Sequence, residues 1–254
     1  MSFHNTTKES LRNGKKTLGL FSGFASYDIA ELISNIGLDW IVFDTEHGSI
    51  KSDSLPGVLA AGSHGSSTPI VRVPSIDPVY TKFALDSGAH GVMFPQVNSL
   101  KDATNAVKFC KYPPEGERGV GPRRASLYYL EYGEYMQTAN DEILILAQIE
   151  SRQAIENIDG ILSVKGLDGV FVGPADLSAS MGYIKSLPKI EEEVHTAIGK
   201  VLEASRKHNV VAGMWAGTVE KSQEYLDQGF QFVALGEDLN YFAKIRDDVK
   251  KIKK

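Results

Sequence analysis

The sequence predicts an α/β protein, a (β/α)8 barrel with a long loop insertion between its fourth and fifth strands. Three observations carry that reading. Short, nearly continuous apolar runs alternate with helical patterns eight times along the chain, which implies a parallel sheet covered on both faces. A glycine stands seven residues before a strand end four times over: Gly37 before Asp44, Gly88 before Pro95, Gly166 before Gly173 and Gly229 before Gly236. No Gly-x-Gly-x-x-Gly follows the first run, so the fingerprint of a dinucleotide-binding doubly wound sheet is missing.

The predicted strands are Thr17–Gly23, Trp40–Asp44, Pro69–Val73, Gly91–Pro95, Ile143–Glu150, Gly169–Gly173, Val210–Trp215 and Phe232–Gly236. Each is rich in Val, Ile, Leu or Phe, as a strand buried on both faces should be. The helical patterns that follow are Tyr27–Ile36, Ser54–Ser63, Pro78–Ser87, Leu100–Cys110, Arg152–Val164, Lys189–His208, Val219–Gln228 and Asn240–Lys250. The four repeated glycines fall where a helix ends and the chain turns back, a position that favours positive φ. The connection from Cys110 to Ile143 is too long for a simple turn. It carries Arg118, Arg123 and Arg124 beside glycines, then an aromatic run from Tyr128 to Met136. Long insertions of this kind are usually functional or disordered. The three arginines are expected to make surface and subunit salt bridges, with guidance of an anionic substrate as the other possibility. One domain over residues 1–254 is expected.

Composition removes several function classes. The chain has 254 residues with 27 Lys and Arg against 32 Asp and Glu, a formal net charge of −5. That balance excludes a general nucleic-acid binder, which needs a basic footprint. No apolar run approaches the ~20 residues that span a membrane. The start, Met1-Ser2-Phe3-His4-Asn5, is polar and lacks the apolar core of a signal peptide. The single cysteine, Cys110, lies in an apolar helical stretch and reads as core filler. One cysteine allows neither an internal disulfide nor a thiolate cluster, and a cytoplasmic location is expected.

In such a barrel the chemistry gathers at the C-terminal strand ends. There the sequence places Asp44-Thr45-Glu46-His47, Arg72, Gln148-Ile149-Glu150, Gly173-Pro174-Ala175-Asp176, Trp215 and Gly236-Glu237-Asp238. Glu150 and Asp176 come from adjacent strands. Buried carboxylates need a positive partner, and two of them without histidines or thiolates suit a hard ion such as Mg2+ or Mn2+. A structural pair of Glu150 with Arg72, and Asp176 as a helix cap, fit the same spacing. Asp44 and His47 share one short turn, where an Asp can orient an imidazole as a base. Arg72 offers a planar fork to a carboxylate or enolate oxygen. No lysine stands at a strand end, so an imine mechanism lacks its nucleophile. Acidic residues after the last strand disfavour a phosphate, and a carboxylate substrate is expected.

At these residues the chain resembles the HpcH/HpaI family of metal-dependent pyruvate aldolases, which act on 2-keto-3-deoxy-glucarate or 4-hydroxy-2-oxo-heptanedioate. The resemblance runs from about Leu18 to Phe242. It rests on Phe43-Asp44-Thr45-Glu46-His47-Gly48, Pro69-Ile70-Val71-Arg72-Val73-Pro74, Tyr112-Pro113-Pro114-Glu115-Gly116 with Arg118-Gly119-Val120, Gln148-Ile149-Glu150-Ser151 and Gly169 to Ser178. It implies a barrel that is commonly hexameric, with a divalent metal (Mg2+ or Mn2+, with Co2+ as a further option) held by Glu150 and Asp176. It implies that Arg72 binds the oxygen of pyruvate's keto or enolate form and that His47 with Asp44 forms an acid–base dyad. Gln148 then binds substrate, and the backbone at Ala175 and Asp176 receives the carboxylate. The implied partners are a small 2-oxo acid and an aldehyde, with no nucleic acid and no membrane. Trp215 replaces the smaller aliphatic residue usual in the family, so this chain departs in its acceptor half, and short or polar aldehydes are expected. The implied reaction is a reversible retro-aldol cleavage of a 4-hydroxy-2-oxo acid. A decarboxylase or citramalyl-type lyase using the same enolate is the nearest rival; a non-catalytic small-acid-binding barrel is another.

Overall fold

The computed structural model describes residues 3–252. The expected domain limits, 1 and 254, and the polar start at Met1 and Ser2 lie outside the described residues. Eight parallel strands close on themselves in sequence order: β1 (Thr17–Ser22), β2 (Trp40–Asp44), β3 (Thr68–Arg72), β4 (Gly91–Phe94), β5 (Leu144–Ile149), β6 (Gly169–Val172), β7 (Val211–Trp215) and β8 (Phe232–Glu237). The helices are α1 (Thr6–Arg12), α2 (Tyr27–Ser34), α3 (Leu55–Gly62), α4 (Pro78–Asp86), α5 (Leu100–Cys110), α6 (Tyr132–Glu142), α7 (Arg152–Glu156), α8 (Ile158–Leu162), α9 (Pro174–Ser180), α10 (Glu192–His208), α11 (Val219–Gln228) and α12 (Asp238–Lys251). All eight predicted strands are present, within a residue or two at each end.

Strand alternation divides the apolar residues into two cores. One fills the barrel, where Trp40 stacks on Phe232 with ring centroids 3.8 Å apart and Phe171, Ile70, Met93 and Leu146 complete the packing. The other lies between barrel and helices and takes the alternate residues, such as Ile41, Phe43, Val71, Val92 and Val170. The four repeated glycines have φ of +90° (Gly37), +101° (Gly88), +94° (Gly166) and +106° (Gly229), the left-handed turn that the repeat predicts.

Differences from the sequence reading have local causes. Helix α1 precedes the first apolar run and carries little hydrophobic signal, yet Leu11 plugs the interior core. Its Lys8 ammonium, 2.8 Å from Asp168, ties it under the barrel. The helix expected over Arg152–Val164 is two, because Asn157 leaves the helical conformation at φ −99° and ends α7. Helix α10 starts at Glu192, since Glu191 is extended at ψ 157°. Part of the insertion is α6. Arg118 does not lie on the surface, as expected, but inside: its side chain has no exposure and pairs with Asp86 at 2.7 Å. It also donates to the Tyr135 hydroxyl of α6 at 3.1 Å and lies over the Tyr112 ring at 4.5 Å. This buried cation pins the insertion to α4. Arg124 is half-buried and donates to the Ser87 carbonyl. Cys110 is fully buried and free, and burial pushes its thiol up to about 12.

Candidate active site at the barrel mouth

The interior columns of the strands change character toward their C-terminal ends. Trp40, Val42 and Asp44 form the inward column of β2; Ile70 and Arg72 that of β3; Leu144, Leu146, Gln148 and then Glu150 that of β5. The lower residues pack the core. The upper ones are polar and meet at the mouth. In the β2–β3 register Asp44 lies opposite Arg72. The guanidinium donates from Nε and Nη2 to the two oxygens of Asp44 at 2.9 and 2.7 Å. Glu46 Oε2 lies 3.3 Å from the same Nε. Burial alone would raise the Asp44 carboxyl, but these hydrogen bonds and the adjacent charge hold it below its ordinary range.

Asp44 does not orient the His47 ring. Its Oδ1 accepts the backbone N–H groups of Glu46 and His47 at 3.0 and 3.3 Å. The imidazole projects outward with its side chain 70% exposed, and its Nε2 lies 3.8 Å from Glu46 Oε1. The expected pairing of the Asp44 and His47 side chains is therefore corrected. The strand register gives Asp44 to Arg72, and the turn brings Glu46, not Asp44, to the histidine.

Glu150 does not pair with Arg72 either. Its Oε1 accepts the Gln96 N–H at 2.7 Å and its Oε2 the Gln148 side-chain amide at 2.8 Å. The carboxyl is pushed up to about 7, first by burial, against the Gln96 hydrogen bond, and further by the negative charges of Asp176 and Glu46. Burial also raises Glu46. Gly173 closes over the group: a Cβ there would sit 3.0 Å from Glu150 Oε2, so a side chain would press on the carboxylate. Gln148 Oε1 is buried without a partner among the described residues, an acceptor left for a hydrogen-bond donor on a bound molecule.

Asp176 sits exposed in the first turn of α9, after Ala175. Both line a cavity of about 660 Å3 with Arg72, Gln148, Gly173 and Trp215. Trp215 faces into the mouth, edge-on to Phe21 with centroids 5.2 Å apart, and does not pack under a helix. Among the described residues no three His, Cys, Asp or Glu side chains converge as a metal site. Glu150 and Asp176 belong to a cluster where acids outnumber the one guanidinium. That deficit of positive charge, and a carboxyl near 7, fit a hard divalent ion that keeps its other positions for water and substrate oxygens.

Sequence reasoning missed one contributor, Gln96, and the partners of two others, Glu46 and Asp238. Glu46 was visible in the Asp-Thr-Glu-His run, but its contact with Arg72 depends on the turn after β2. Gln96 acts through its main-chain N–H at φ +52°, which no side-chain pattern reveals. Asp238 stands among the strand-end acids but locks the chain after β1, accepting from the Ser22 hydroxyl at 2.8 Å and the Gly23 N–H at 3.0 Å.

The family model for HpcH/HpaI aldolase/citrate lyase matches residues 17–244. The chain is 38% identical over 242 residues to a 4-hydroxy-2-oxo-heptane-1,7-dioate aldolase of Escherichia coli, covering 94% of this chain and 91% of the relative. It is 36% identical over 243 residues to a hydroxypyruvate/pyruvate aldolase of Roseovarius nubinhibens, covering 94% and 93%. A crystal structure of an HpcH/HpaI aldolase/citrate lyase family protein from Burkholderia cenocepacia superposes with a TM-score of 0.91 at 32% identity, covering 97% and 98% of the two chains. A barrel matched over nearly its whole length, with its polar residues at the strand ends, settles the relationship: the chain belongs to the HpcH/HpaI aldolase/citrate lyase family, a family of carbon–carbon lyases.

Proposed function

We propose that this chain cleaves a 4-hydroxy-2-oxo acid reversibly into pyruvate and an aldehyde. The observation that carries the reading is Arg72, fixed by Asp44 beside Glu150 and opening onto the cavity shared with Gln148, Ala175 and Asp176. Glu150 and Asp176 would hold a divalent cation, Mg2+ or Mn2+, with Co2+ as a substitute. When bound, such an ion supplies Lewis-acid stabilisation of negative charge on the 2-oxo acid.

The chain's own groups do the rest. Arg72 donates to the 2-oxo oxygen, where charge develops as the C3–C4 bond breaks. First-turn N–H groups of α9, at Ala175 and Asp176, have no intrahelical acceptor and receive the substrate carboxylate. Gln148 presents its unpaired oxygen to a substrate hydroxyl. His47, with Glu46 as its neighbouring carboxylate, takes the C4 hydroxyl proton. The C3–C4 electron pair passes to the pyruvate enolate, the aldehyde leaves, and protonation at C3 gives pyruvate. The cavity continues past Trp215, which favours an aldehyde partner over decarboxylation, a reaction that needs no second molecule.

A homo-oligomer, hexameric as the family resemblance implies, is part of this proposal. Supporting it are exposed apolar side chains on the insertion (Tyr128, Tyr129 and Leu130) and on α12 (Phe242, Ile245 and Val249). A cytoplasmic location fits the single free, buried cysteine; no helix among the described residues is long and apolar enough to cross a membrane. The test is direct. Purified protein with Mn2+ and a 4-hydroxy-2-oxo acid should release pyruvate, read by a coupled reductase, and pyruvate plus an aldehyde should give the aldol.

A further inference from the structure

We propose that Asn98 is a positioning residue for the candidate cation site: it locks the loop after β4 so that the Gln96 N–H holds the Glu150 carboxylate in place. The inference rests on the reading of Glu150 as a cation ligand and adds the residue that sets its orientation. Gln96 is the reason a lock is needed. It has φ +52°, in the left-handed region that a residue with a Cβ adopts poorly. Of the five non-glycine residues at positive φ among the described residues, it alone stands at the mouth end of a barrel strand. Its side chain is exposed, so burial does not impose that conformation. What the turn gains is the direction of the main-chain N–H, which donates to Glu150 Oε1 at 2.7 Å. The other carboxylate oxygen accepts from the Gln148 amide at 2.8 Å. Two donors, one to each oxygen, fix the plane of the carboxylate.

Asn98 ties that turn to the segment that follows Glu150. Its Nδ2 donates to the Gln96 carbonyl at 2.9 Å. Its Oδ1 accepts from the hydroxyl of Ser151, the residue after Glu150. The Ser151 oxygen in turn accepts the Ala154 N–H at 3.0 Å and caps α7. The main chain of Asn98 is held as well. Its N–H donates to Asp102 Oδ2 at 3.1 Å, and its carbonyl accepts from Asn157 Nδ2 at 2.9 Å. Val97, between Gln96 and Asn98, is fully buried. One side chain therefore joins the loop that carries the Gln96 donor to the strand end that carries its acceptor. Alanine at 98 would cut both side-chain links and free Gln96 to relax toward negative φ, which turns its N–H away from Glu150. Hydrogen-bond partners one step removed from a metal ligand orient that ligand, and their loss costs about 10- to 100-fold in metal affinity.

The test measures Mn2+ binding to the full-length protein without substrate, by the EPR signal of the free ion. It is paired with the Mn2+ concentration that gives half-maximal pyruvate release from a 4-hydroxy-2-oxo acid. Asn98→Ala should bind Mn2+ about 10- to 100-fold more weakly than wild type. The loss should appear as a raised Mn2+ requirement more than as a lowered kcat at saturating Mn2+, because Asn98 reaches Glu150 only through Gln96 and Ser151. A second pair of variants leaves Asn98 in place. Glycine adopts positive φ freely and a β-branched residue does not, so Gln96→Val should bind Mn2+ about 10-fold more weakly than Gln96→Gly. Wild-type Mn2+ affinity in Asn98→Ala, or equal affinity in the two Gln96 variants, would overturn the positioning role and leave the aldolase reading standing. Weaker Mn2+ binding in Asn98→Ala, in a protein whose wild type releases no pyruvate, would support the positioning role and overturn the aldolase reading. A wild type that binds no Mn2+ would overturn the positioning role together with the cation assignment.

Discussion

Arg72 and Asp44 face each other across neighbouring strands, joined by two hydrogen bonds of 2.9 and 2.7 Å from Nε and Nη2. The pair is largely buried, with side-chain exposures of 13% and 9%, and Glu46 reaches the same Nε. A planar fork held this way cannot swing, and on the proposed reading Nη1 is the nitrogen left for a substrate oxygen. Asp44 therefore acts as the positioner of an arginine, a role that differs from orienting a histidine.

The pair gives the first prediction. Arg72→Lys keeps the charge but loses the fork, and activity should fall about 10²–10³-fold, as when one donor to a developing oxyanion is removed. Asp44→Asn should act through the freed Arg72 and raise the KM for pyruvate. Steady-state kinetics with pyruvate varied checks both. An Asp44→Asn enzyme whose only change is a shifted pH profile would return Asp44 to the histidine.

His47 gives the second. His47→Ala should lower cleavage by about 10²–10⁴-fold, the usual cost of losing a general base. Exchange of pyruvate's methyl hydrogens with solvent deuterium involves no C4 hydroxyl and should be much less affected. Proton NMR follows both reactions in one tube. Near wild-type cleavage in His47→Ala would remove this residue from the mechanism.

A third prediction concerns Trp215. The indole lines the mouth cavity beside Phe21, and on the proposed reading it fills space along the acceptor's path. Trp215→Leu should widen the range of aldehydes accepted, with the largest gains for branched and aromatic ones. An unchanged profile over an aldehyde panel would mean that the indole does not limit the acceptor.

Stability should depend on His90, which packs edge-on against Phe3 at 4.7 Å. Burial, with Arg124 and His4 nearby, pushes its imidazole down to about 4. The folded protein thus binds this proton less readily than the unfolded chain, whose histidine titrates near ~6.5. The associated stability is complete above that value and is lost as pH falls through about 4. His90→Phe should therefore flatten the decline in melting temperature from neutral pH toward 4. A variant with the wild-type pH slope would assign the acid sensitivity to other groups.

Much of this was readable from the chain because barrel strands repeat a simple rule. Alternate residues face inward, so the step from Trp40 to Asp44, or from Leu144 to Glu150, announces both a core and a mouth. The glycine repeat marked the turns for the same reason: Gly37 and its counterparts need a backbone that other residues adopt poorly. What the chain did not reveal depends on registers and loops. Asp44 lies closer to His47 than to Arg72 in sequence, and only strand pairing reverses the partnership. The Gln96 donor belongs to the main chain. Arg118 reads as a surface charge because the tyrosines that bury it come from two separate parts of the insertion.

The central claim is that a cation on Glu150 and Asp176, and no lysine imine, supports cleavage to pyruvate. The most direct measurement is pyruvate release after dialysis against EDTA, with Mg2+, Mn2+ or Co2+ added back. It is paired with mass analysis after borohydride treatment in the presence of pyruvate. The account predicts activity lost on chelation and restored by the ion, no restoration in Glu150→Ala or Asp176→Ala, and an unchanged protein mass. Activity that survives chelation, with a pyruvate adduct on a lysine such as Lys221 at the cavity wall, would contradict it.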